Sequence, residues 1–410
     1  RQTAPQCGDL DADARIDAAD VARLRAHLTN PLASPLTAAE AARCSVIGTA
    51  SDCNLADAAV ARRIAMFHAG GAAVTVAGFC RDEAAPATVA GAPAVALGRT
   101  HDAALKQRAG QVLRNLVRPA KMVAAARGAD VIVARNLEML ALARMAQRRA
   151  GIPRLVYESL DIHRSLLGDG AASGALRTVE RRLMRSADLL IYSSPAFHEH
   201  YFAAVQHVTI PALLVENKLL RLDGDAAPDG LRAPAPPWTI GWFGNLRCRR
   251  TLAILTALAE AGAGEIEILV AGKASPAEFP DFAAQVAHPQ IRYVGPYAAS
   301  DLPALYRQCH FAWGIDYFEE GLNSTWLLPN RLYEAAAFRT VPIALGAVQT
   351  GRWLAAHDAG LLLGTEDPVA AVLDRLRVLD AAGYDRLSAA VAAIPRRDLV
   401  AGPDDCAALT

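Results

Sequence analysis

Short apolar runs alternate with helical stretches along most of this chain, and this alternation limits the possible folds. Continuous apolar runs of this length are typical of strands buried on both faces of a parallel sheet. One series predicts strands at 72–77, 131–134, 154–157 and 189–192, with helices that include 137–149 and 176–186. A second series predicts strands at 238–243, 266–271, 291–294, 311–315 and 341–344. The predicted fold class is therefore α/β, with two Rossmann-like doubly wound domains.

A proline-rich stretch separates the two series. Residues 222–237 hold Pro228, Pro234, Pro236 and Pro237, which is a linker composition. We therefore predict a short N-terminal segment at 1–65, a first α/β domain at 66–221 and a second at 238–400. Two doubly wound domains joined by a linker predict a ligand cleft between them.

Composition excludes several kinds of partner. The 42 basic and 42 acidic residues leave no net charge, and only 6% of residues are aromatic, so a nucleic-acid binder is not expected. No apolar run is long enough to span a bilayer, and no signal peptide is recognised. The seven cysteines are scattered, which argues against a disulfide framework or a zinc cluster.

Complementary charges suggest a nucleotide site in the second domain. Glu334 lies near the start of a predicted helix, just before the strand at 341–344, where a carboxylate can accept from both ribose hydroxyls. Arg247, Arg249 and Arg250 follow one predicted strand, and Lys273 follows the next. These cations would neutralise phosphates.

Polar and glycine positions around these charges complete the predicted donor site. Gly244, at the end of the first strand of this domain, allows close backbone approach, and the helix start after it offers N–H groups to a phosphate. Asn323 lies in a polar loop at 316–324 that could cradle a sugar or phosphate, although its two glutamates fit a solvated edge equally well. Asn330 opens the Glu334 segment and is a further donor-binding candidate.

The second domain resembles the donor-binding domain of GT-B glycosyltransferases, of the retaining polysaccharide-assembly type. The matching segments are GWFGNLR, AGK, IRYVGPY, DLPALYRQCHFAWGID and NSTWLLPNRLYEAAAFRTVPIA. The resemblance implies that Glu334 holds the ribose and that Arg247 or Arg249, with Lys273, holds the diphosphate. It also implies transfer with retention and without an obligatory metal. The family often places a second Glu eight positions earlier, where this chain has Trp326.

The first domain carries the acceptor-side candidates. Arg135, Asn136 and Glu138 follow one predicted strand, and Asp161 and His163 follow the next. In similar transferases this face binds the acceptor, so Asp161 and His163 are the candidates for acceptor orientation or proton handling. A capping histidine explains His163 equally well.

The N-terminal segment has two interpretations. Asp9, Asp11, Asp13, Asp17 and Asp20 occupy positions 1, 3, 5, 9 and 12 of a calcium loop, which resembles the first half of a dockerin repeat pair. Residues 44–63 then read as a degenerate second half. Alternatively, residues 44–49 form the first strand of the next sheet and 55–69 its helix.

Together these features predict a hexosyltransferase that moves sugar from a nucleotide-sugar donor to a saccharide or lipid-linked acceptor. A cytoplasmic location is expected, with possible association with a membrane surface; the calcium loop would instead suggest an extracellular protein with Ca²⁺ and a cohesin-like partner. Two alternatives remain, namely a nucleotide-sugar epimerase of GT-B architecture and a calcium-dependent docking protein with a non-catalytic α/β body.

Overall fold

The computed structural model describes residues 45–54, 58–80, 85–100, 105–221, 232–364 and 367–410. These residues fall into two compact units. The first contains the described residues up to 216, together with 220–221 and 401–410. The second contains 217–219 and the described residues between 232 and 400.

The first unit contains an eight-stranded sheet in its described part, with strand order β3-β4-β2-β1-β5-β6-β7-β8. Every pairing is parallel except that of β3 with β4. The strands are β1 (Ser45–Asn54), β2 (Ala73–Cys80), β3 (Thr88–Val89), β4 (Ala92–Arg99), β5 (Val131–Arg135), β6 (Arg154–Ser159), β7 (Leu189–Tyr192) and β8 (Ala212–Leu214).

Helices connect these strands, as parallel pairing requires. They are α1 (Ala58–Ala69), α2 (Leu105–Val117), α3 (Ala120–Ala126), α4 (Asn136–Ala150), α5 (Arg164–Leu167), α6 (Ala171–Met184) and α7 (Pro195–Phe197), the last continuing into a π-helical turn at His198–Ala203. Helix α4 ends at Gly151, whose positive φ of 71° is the left-handed conformation that favours glycine at a C-cap.

The second unit is built on a six-stranded sheet with the order β12-β11-β10-β13-β14-β15, in which every pairing is parallel. A two-residue strand, β9 (Leu219–Leu220), precedes it in the chain. The strands of this sheet are β10 (Trp238–Leu246), β11 (Ile266–Ala274), β12 (Ile291–Tyr293), β13 (Phe311–Trp313), β14 (Val341–Leu345) and β15 (Leu361–Leu363).

The helices of the second unit are α8 (Arg249–Ala261), α9 (Phe282–Gln285), α10 (Leu302–Tyr306), α11 (Asn330–Ala337), α12 (Gln349–Ala355), α13 (Pro368–Arg377), α14 (Ala381–Ala392) and α15 (Arg396–Leu399). Short 3₁₀ turns lie at Ala299–Asp301 and Asn323–Thr325. The chain then forms β16 (Val400–Ala401), which pairs with β9, and α16 (Pro403–Ala407).

Alternation along β11 shows why this sheet is covered on both faces. Ile268 and Val270 belong to one buried cluster, whereas Leu269 and Ala271 belong to another. Successive side chains of a strand point to opposite faces, so an uninterrupted apolar run buries both. The predicted strands and the α/β class are confirmed, and burial on both faces explains why apolar runs predicted them.

The start of the first sheet favours one of the two interpretations of the N-terminal region. Strand β1 pairs in parallel with both β2 and β5, and α1 follows it, as the strand-and-helix alternative predicts. The described residues of 44–63 belong to β1 and α1, so they do not support the interpretation as half of a calcium repeat. The predicted boundary after residue 65 falls inside α1. The loop at Asp9–Asp20 and the linker residues 222–231 lie outside the described residues.

Candidate functional site

The second sheet reverses its strand order between β10 and β13. Strands β11 and β12 extend from β10 in one direction, and β14 and β15 extend from β13 in the other. In open parallel sheets, ligands bind outside the carboxyl ends of the strands at such a switch point. Segments 244–247 and 314–316 therefore define the place to look for a ligand.

Two glycines shape the end of β10. Gly244 has a φ of +119°, and a Cβ added to it would meet nothing within 4 Å. Its register partner Gly272 has a φ of +143°, and a Cβ there would lie 1.8 Å from the Gly244 carbonyl oxygen. Gly272 thus permits close strand approach, whereas the space beside the Gly244 backbone is open. The predicted helix start after Gly244 comes later, because β10 continues to Leu246 and α8 begins at Arg249.

Two arginines between the end of β10 and the first turn of α8 contact the loop that follows β13. The Arg247 guanidinium carbon lies 4.5 Å from the Phe318 ring centroid, and that of Arg250 lies 4.2 Å from the Tyr317 centroid. Arg250 also forms an ion pair with Glu320. These contacts join the predicted cation Arg247, which follows β10, to the 316–324 loop, which follows β13. The two segments come from the two strands that flank the switch point.

A concave pocket lies beside this loop, within the second unit. Its lining includes Gly314, Ile315, Asp316, Ser324, Pro329 and Thr350. Asp316 accepts a hydrogen bond from the Phe318 backbone N–H at 2.9 Å, and its other oxygen lies 3.7 Å from an Arg331 nitrogen. The loop after β13 is thereby tied to α11, the helix that carries Glu334.

Glu334 is half-buried and held by a tyrosine. The Tyr306 hydroxyl donates to Glu334 Oε2 across 3.2 Å. The Tyr306 ring packs edge-on against Phe243 with centroids 4.9 Å apart, and Tyr297 also contacts Phe243. Since Phe243 immediately precedes Gly244, this aromatic cluster connects the Glu334 carboxylate to the end of β10.

The pKa shifts of two tyrosines are consistent with their position near the Glu334 carboxylate. Burial raises the pKa of Tyr306 well above its ordinary value, and the nearby charge of Glu334 raises it further. Burial, followed by Glu334, also raises the pKa of Tyr297. Both phenols therefore remain protonated at neutral pH and can donate hydrogen bonds.

The remaining predicted donor residues are distributed around this edge. Lys273 is exposed and lies opposite Asn245 in the register of β10 and β11. Arg249, in contrast, is 65% exposed and pairs with Glu278 at 3.2 Å. Asn323 is buried in its 3₁₀ turn, and Asn330 is the first residue of α11. Arg247 is thus better placed than Arg249 to meet a ligand at the switch point.

In the first unit, the sheet reverses at β1 and β5, and Arg135 ends β5. Arg135 is only 2% exposed and lies 2.8 Å from Glu158, its register partner on β6. Arg63 pairs with the other oxygen of Glu158 at 2.7 Å. This geometry places Arg135 in a buried ion triad and does not support the predicted acceptor contact. Glu138 pairs with Arg108 at 2.6 Å.

Three acceptor-side candidates lie at the carboxyl ends of β5 and β6. Asn136 has a φ of +67°, and its buried Oδ1 has no hydrogen-bond partner among the described residues. The Asp161 carbonyl accepts from Ser159 Oγ at 3.0 Å. His163 caps α5, where its Nδ1 accepts from the Ser165 backbone N–H at 3.2 Å and lies 2.8 Å from Ser165 Oγ.

Within the described part of the chain, no group of three or more His, Cys, Asp or Glu residues is placed to hold a metal ion. The five aspartates of the predicted calcium loop lie outside that part. None of the described helices is both long enough and apolar enough to cross a bilayer.

Sequence reasoning missed the residues that position the site. Tyr297 and Tyr306 lie within the quoted segments IRYVGPY and DLPALYRQCHFAWGID, but received no role. The aromatic pair Tyr317 and Phe318 was likewise read only as part of a polar loop. Their spacing along the chain gave no signal, because their partners come from other strands and helices.

Comparisons with known proteins find similar sequences and similar folds. Residues 56–212 match a family described as Glycosyl transferase 4-like domain. The succinoglycan biosynthesis protein ExoL of Rhizobium meliloti is 44% identical over 323 residues, which are 77% of this chain and 80% of that protein.

Solved structures share the fold. Sucrose-phosphate synthase from Thermosynechococcus elongatus gives a TM-score of 0.65 at 14% identity, over 85% of this chain and 93% of that one. HepE from Anabaena, crystallised with UDP and glucose, gives 0.60 at 17% identity, over 86% and 94%. The two-sheet architecture is therefore that of known glycosyltransferase structures.

Proposed function

We propose that this chain, which belongs to the glycosyl transferase 4-like family and is a glycosyltransferase, binds its nucleotide-sugar donor at the switch point of the second unit. One observation carries the proposal. The Tyr306 hydroxyl donates to Glu334, and the Tyr306 ring packs on Phe243, which precedes Gly244 and its open backbone in β10. A group that can accept from sugar hydroxyls is thus linked through one aromatic side chain to the strand that carries the open backbone, which supports a nucleotide-sugar site here.

We assign roles by charge. Glu334 accepts hydrogen bonds from the ribose, and Tyr306 fixes the orientation of its carboxylate. Arg247 and Lys273 neutralise the diphosphate, while Asn323 and the 316–324 loop face the transferred sugar. Because Trp326 replaces the second family glutamate, this loop takes over its sugar contact.

The donor proposed is a UDP-hexose, with UDP-glucose as the first compound to test. HepE was crystallised with UDP-glucose, and its fold is shared here. The relative ExoL is named for succinoglycan biosynthesis, which supports a saccharide acceptor and a role in polysaccharide assembly. We further propose that the acceptor saccharide is attached to a lipid carrier. The enzyme would act in the cytoplasm, where nucleotide sugars are made.

In the reaction, the bond between the sugar C1 and the donor phosphate oxygen breaks, and C1 bonds to an acceptor hydroxyl oxygen. The nucleoside diphosphate leaves with the bonding electrons, and its released phosphate oxygen takes the proton of the acceptor hydroxyl. Arg247 and Lys273 stabilise the charge that develops on the leaving phosphate. They would do so without a divalent cation, so transfer should persist in a chelator.

The cap at α5 suggests how His163 takes part. Because Nδ1 accepts from the Ser165 N–H, the neutral ring carries its proton on Nε2. In that tautomer His163 can donate to an oxygen of the acceptor but cannot remove a proton. We therefore propose that His163 orients a substrate, with Asp161 beside it.

Incubation of the purified chain with radiolabelled UDP-glucose, with and without a saccharide acceptor extract, tests the function. Acceptor-dependent appearance of label in a larger saccharide supports transfer. Label recovered only as an epimerised nucleotide sugar, or no turnover of UDP-, GDP- or ADP-hexoses, contradicts it. Repeating the assay in chelator tests metal independence, which fails if activity is lost and returns with Mg²⁺.

A further inference from the structure

The segments that begin and end the second unit contact opposite ends of α11, the helix that carries Glu334. Asn217 is the first residue of that unit along the chain, and Arg396 precedes Val400, its last residue. Both residues are distant from Glu334 in the sequence. Their contacts therefore join the two ends of the unit to the helix of the candidate nucleotide-sugar site.

At the start of α11, two side chains hold the bend that forms one wall of the pocket after β13. Asn217 is 7% exposed, and its Nδ2 donates to the Leu328 carbonyl at 3.3 Å. The Thr350 hydroxyl donates to the neighbouring Leu327 carbonyl at 2.9 Å. Leu327 and Pro329 line the pocket, and Leu328 is fully buried. Since Pro329 is the N-cap residue of α11, the same bonds fix where that helix begins.

At the other end of α11, an arginine holds the last carbonyl. Arg396 Nη1 donates to the carbonyl of Ala337, the last residue of α11, at 2.9 Å. A cation is stabilising at the C-terminal end of a helix. The carbonyl of Arg397, the next residue of α15, accepts from Lys218 Nζ at 2.8 Å. Because Lys218 directly follows Asn217, the segments at the two ends of α11 are also joined to each other.

These contacts matter because α11 is short. It has eight residues, and an isolated helix of that length has little stability in water. Its position therefore depends on the groups that hold it from outside. The bonds from Asn217 and Arg396 hold its two ends, whereas Tyr306 holds the Glu334 carboxylate between them.

We propose that Asn217 and Arg396 are positioning residues of the nucleotide-sugar site. They hold α11 at both ends, so that Glu334 and the pocket wall at 327–329 keep a fixed place beside the end of β13. Neither residue contacts the substrate in this proposal. The inference rests on the proposed nucleotide-sugar site and adds the residues that set its shape.

The test compares two variants of the full chain with matched controls. Asn217→Ala and Arg396→Met remove the two hydrogen-bond donors. The controls are Asn115→Ala and Arg181→Met in the first unit, whose side chains also donate to backbone carbonyls, at 3.1 Å and 2.8 Å. Each of the four variants should lower the melting temperature by roughly 2–4 °C, so that the loss of stability is matched.

Two measurements separate positioning from stability. Calorimetric titration gives the affinity for UDP-glucose. Fluorine NMR of chains labelled with 5-fluorotryptophan reports on Trp326, which directly precedes Leu327, and Trp326→Phe assigns its signal. Asn217→Ala and Arg396→Met should each bind UDP-glucose about tenfold more weakly. Asn217→Ala should also shift or broaden the Trp326 signal without ligand, and both controls should match the wild type in affinity and spectrum.

Three results would overturn the positioning role. They are wild-type affinity in both variants, equal weakening in the controls, and a Trp326 signal that Asn217→Ala leaves unchanged. Arg396→Met, at a partly exposed side chain, decides the binding arm if Asn217→Ala does not fold. A wild type that binds no UDP-, GDP- or ADP-glucose would count against the proposed nucleotide-sugar site. The Trp326 signal would then still show whether Asn217 holds the pocket wall.

Discussion

The hydroxyl of Tyr306 donates a hydrogen bond to the Glu334 carboxylate across 3.2 Å, joining α10 to α11. This contact fixes the group to which we assign ribose recognition. A phenol that remains protonated, because burial and the Glu334 charge raise its pKa, is a permanent donor to that carboxylate. The orientation of Glu334 is thus set before a ligand arrives.

Replacing Tyr306 with Phe should weaken UDP binding about tenfold, because a hydrogen bond to a charged group is lost and the Glu334 carboxylate is held less firmly. Calorimetric titration with UDP measures the change. The control is Tyr384→Phe, which removes a buried hydroxyl that donates to the His310 carbonyl at 3.3 Å in another core cluster. Equal weakening in both variants would indicate a general effect on packing.

Arg247 and Arg249 should differ although they are two residues apart. Arg247→Ala should lower kcat/KM for the donor on the order of 100-fold, since it removes a donor to the leaving phosphate. Arg249→Ala should change it by no more than about twofold, because its exposed pair with Glu278 contributes little. Steady-state kinetics on both variants decides, and a larger effect at Arg249 would reverse the assignment.

Gly272 should tolerate substitution poorly. Gly272→Ala would place a Cβ 1.8 Å from the Gly244 carbonyl oxygen at a φ of +143°, and we expect a loss of about 3 kcal/mol in unfolding free energy. Gly264→Ala is the control, because its φ of +89° is also positive but nothing lies within 4 Å of the new Cβ. There the loss should be about 1 kcal/mol. Urea unfolding compares the two, and equal losses would contradict the close strand approach.

The buried triad of Arg63, Glu158 and Arg135 should make stability depend on acid. Burial alone would raise the pKa of Glu158, but Arg135 and Arg63 together lower it below its ordinary value. A carboxyl with a lower pKa in the folded state binds fewer protons when folded. The stability it contributes is present at neutral pH and is lost as the pH falls below the ordinary value of 4.5 through the folded pKa.

Glu158→Gln should flatten this part of the pH profile and destabilise the chain by about 3 kcal/mol at neutral pH, because two buried guanidiniums lose their counter-ion. Urea unfolding between pH 7 and pH 3 measures both effects. A variant that keeps the wild-type acid slope would show that other carboxyls cause it. Glu180 is a useful comparison. Burial raises its pKa, so its contribution to the pH dependence of stability has the opposite sign.

Short apolar runs in the sequence predicted most of the strands, because a strand that is buried on both faces consists almost entirely of apolar residues. Strand β4 was missed, since Ala92–Arg99 is built largely from alanine, glycine and proline and holds one β-branched residue, Val95. The return of residues 401–410 to the first unit was also missed. It depends on contacts such as Thr410 Oγ1 to the Gly70 carbonyl at 2.7 Å, which no periodicity reveals.

Residue chemistry alone was sufficient to propose part of the candidate site. Glu334, Arg247 and Gly244 could be named because a carboxylate, a cation and a glycine at strand ends have few other uses in combination. The buried ion pair of Arg135 could not be foreseen, since its partner Glu158 lies beside it only through the register of β5 and β6. The role of Tyr306 was not predicted either, because its partner Glu334 is distant in the sequence and lies near it only in the folded chain.

Contact between Glu334 and the nucleotide ribose is tested most directly by measuring UDP and 2′-deoxy-UDP binding to the wild type and to Glu334→Ala. If Glu334 accepts from the ribose, the wild type should bind the deoxy compound about tenfold or more weakly, and the variant should scarcely distinguish the two. An equal penalty for the missing hydroxyl in both proteins would contradict the placement of the donor at this site.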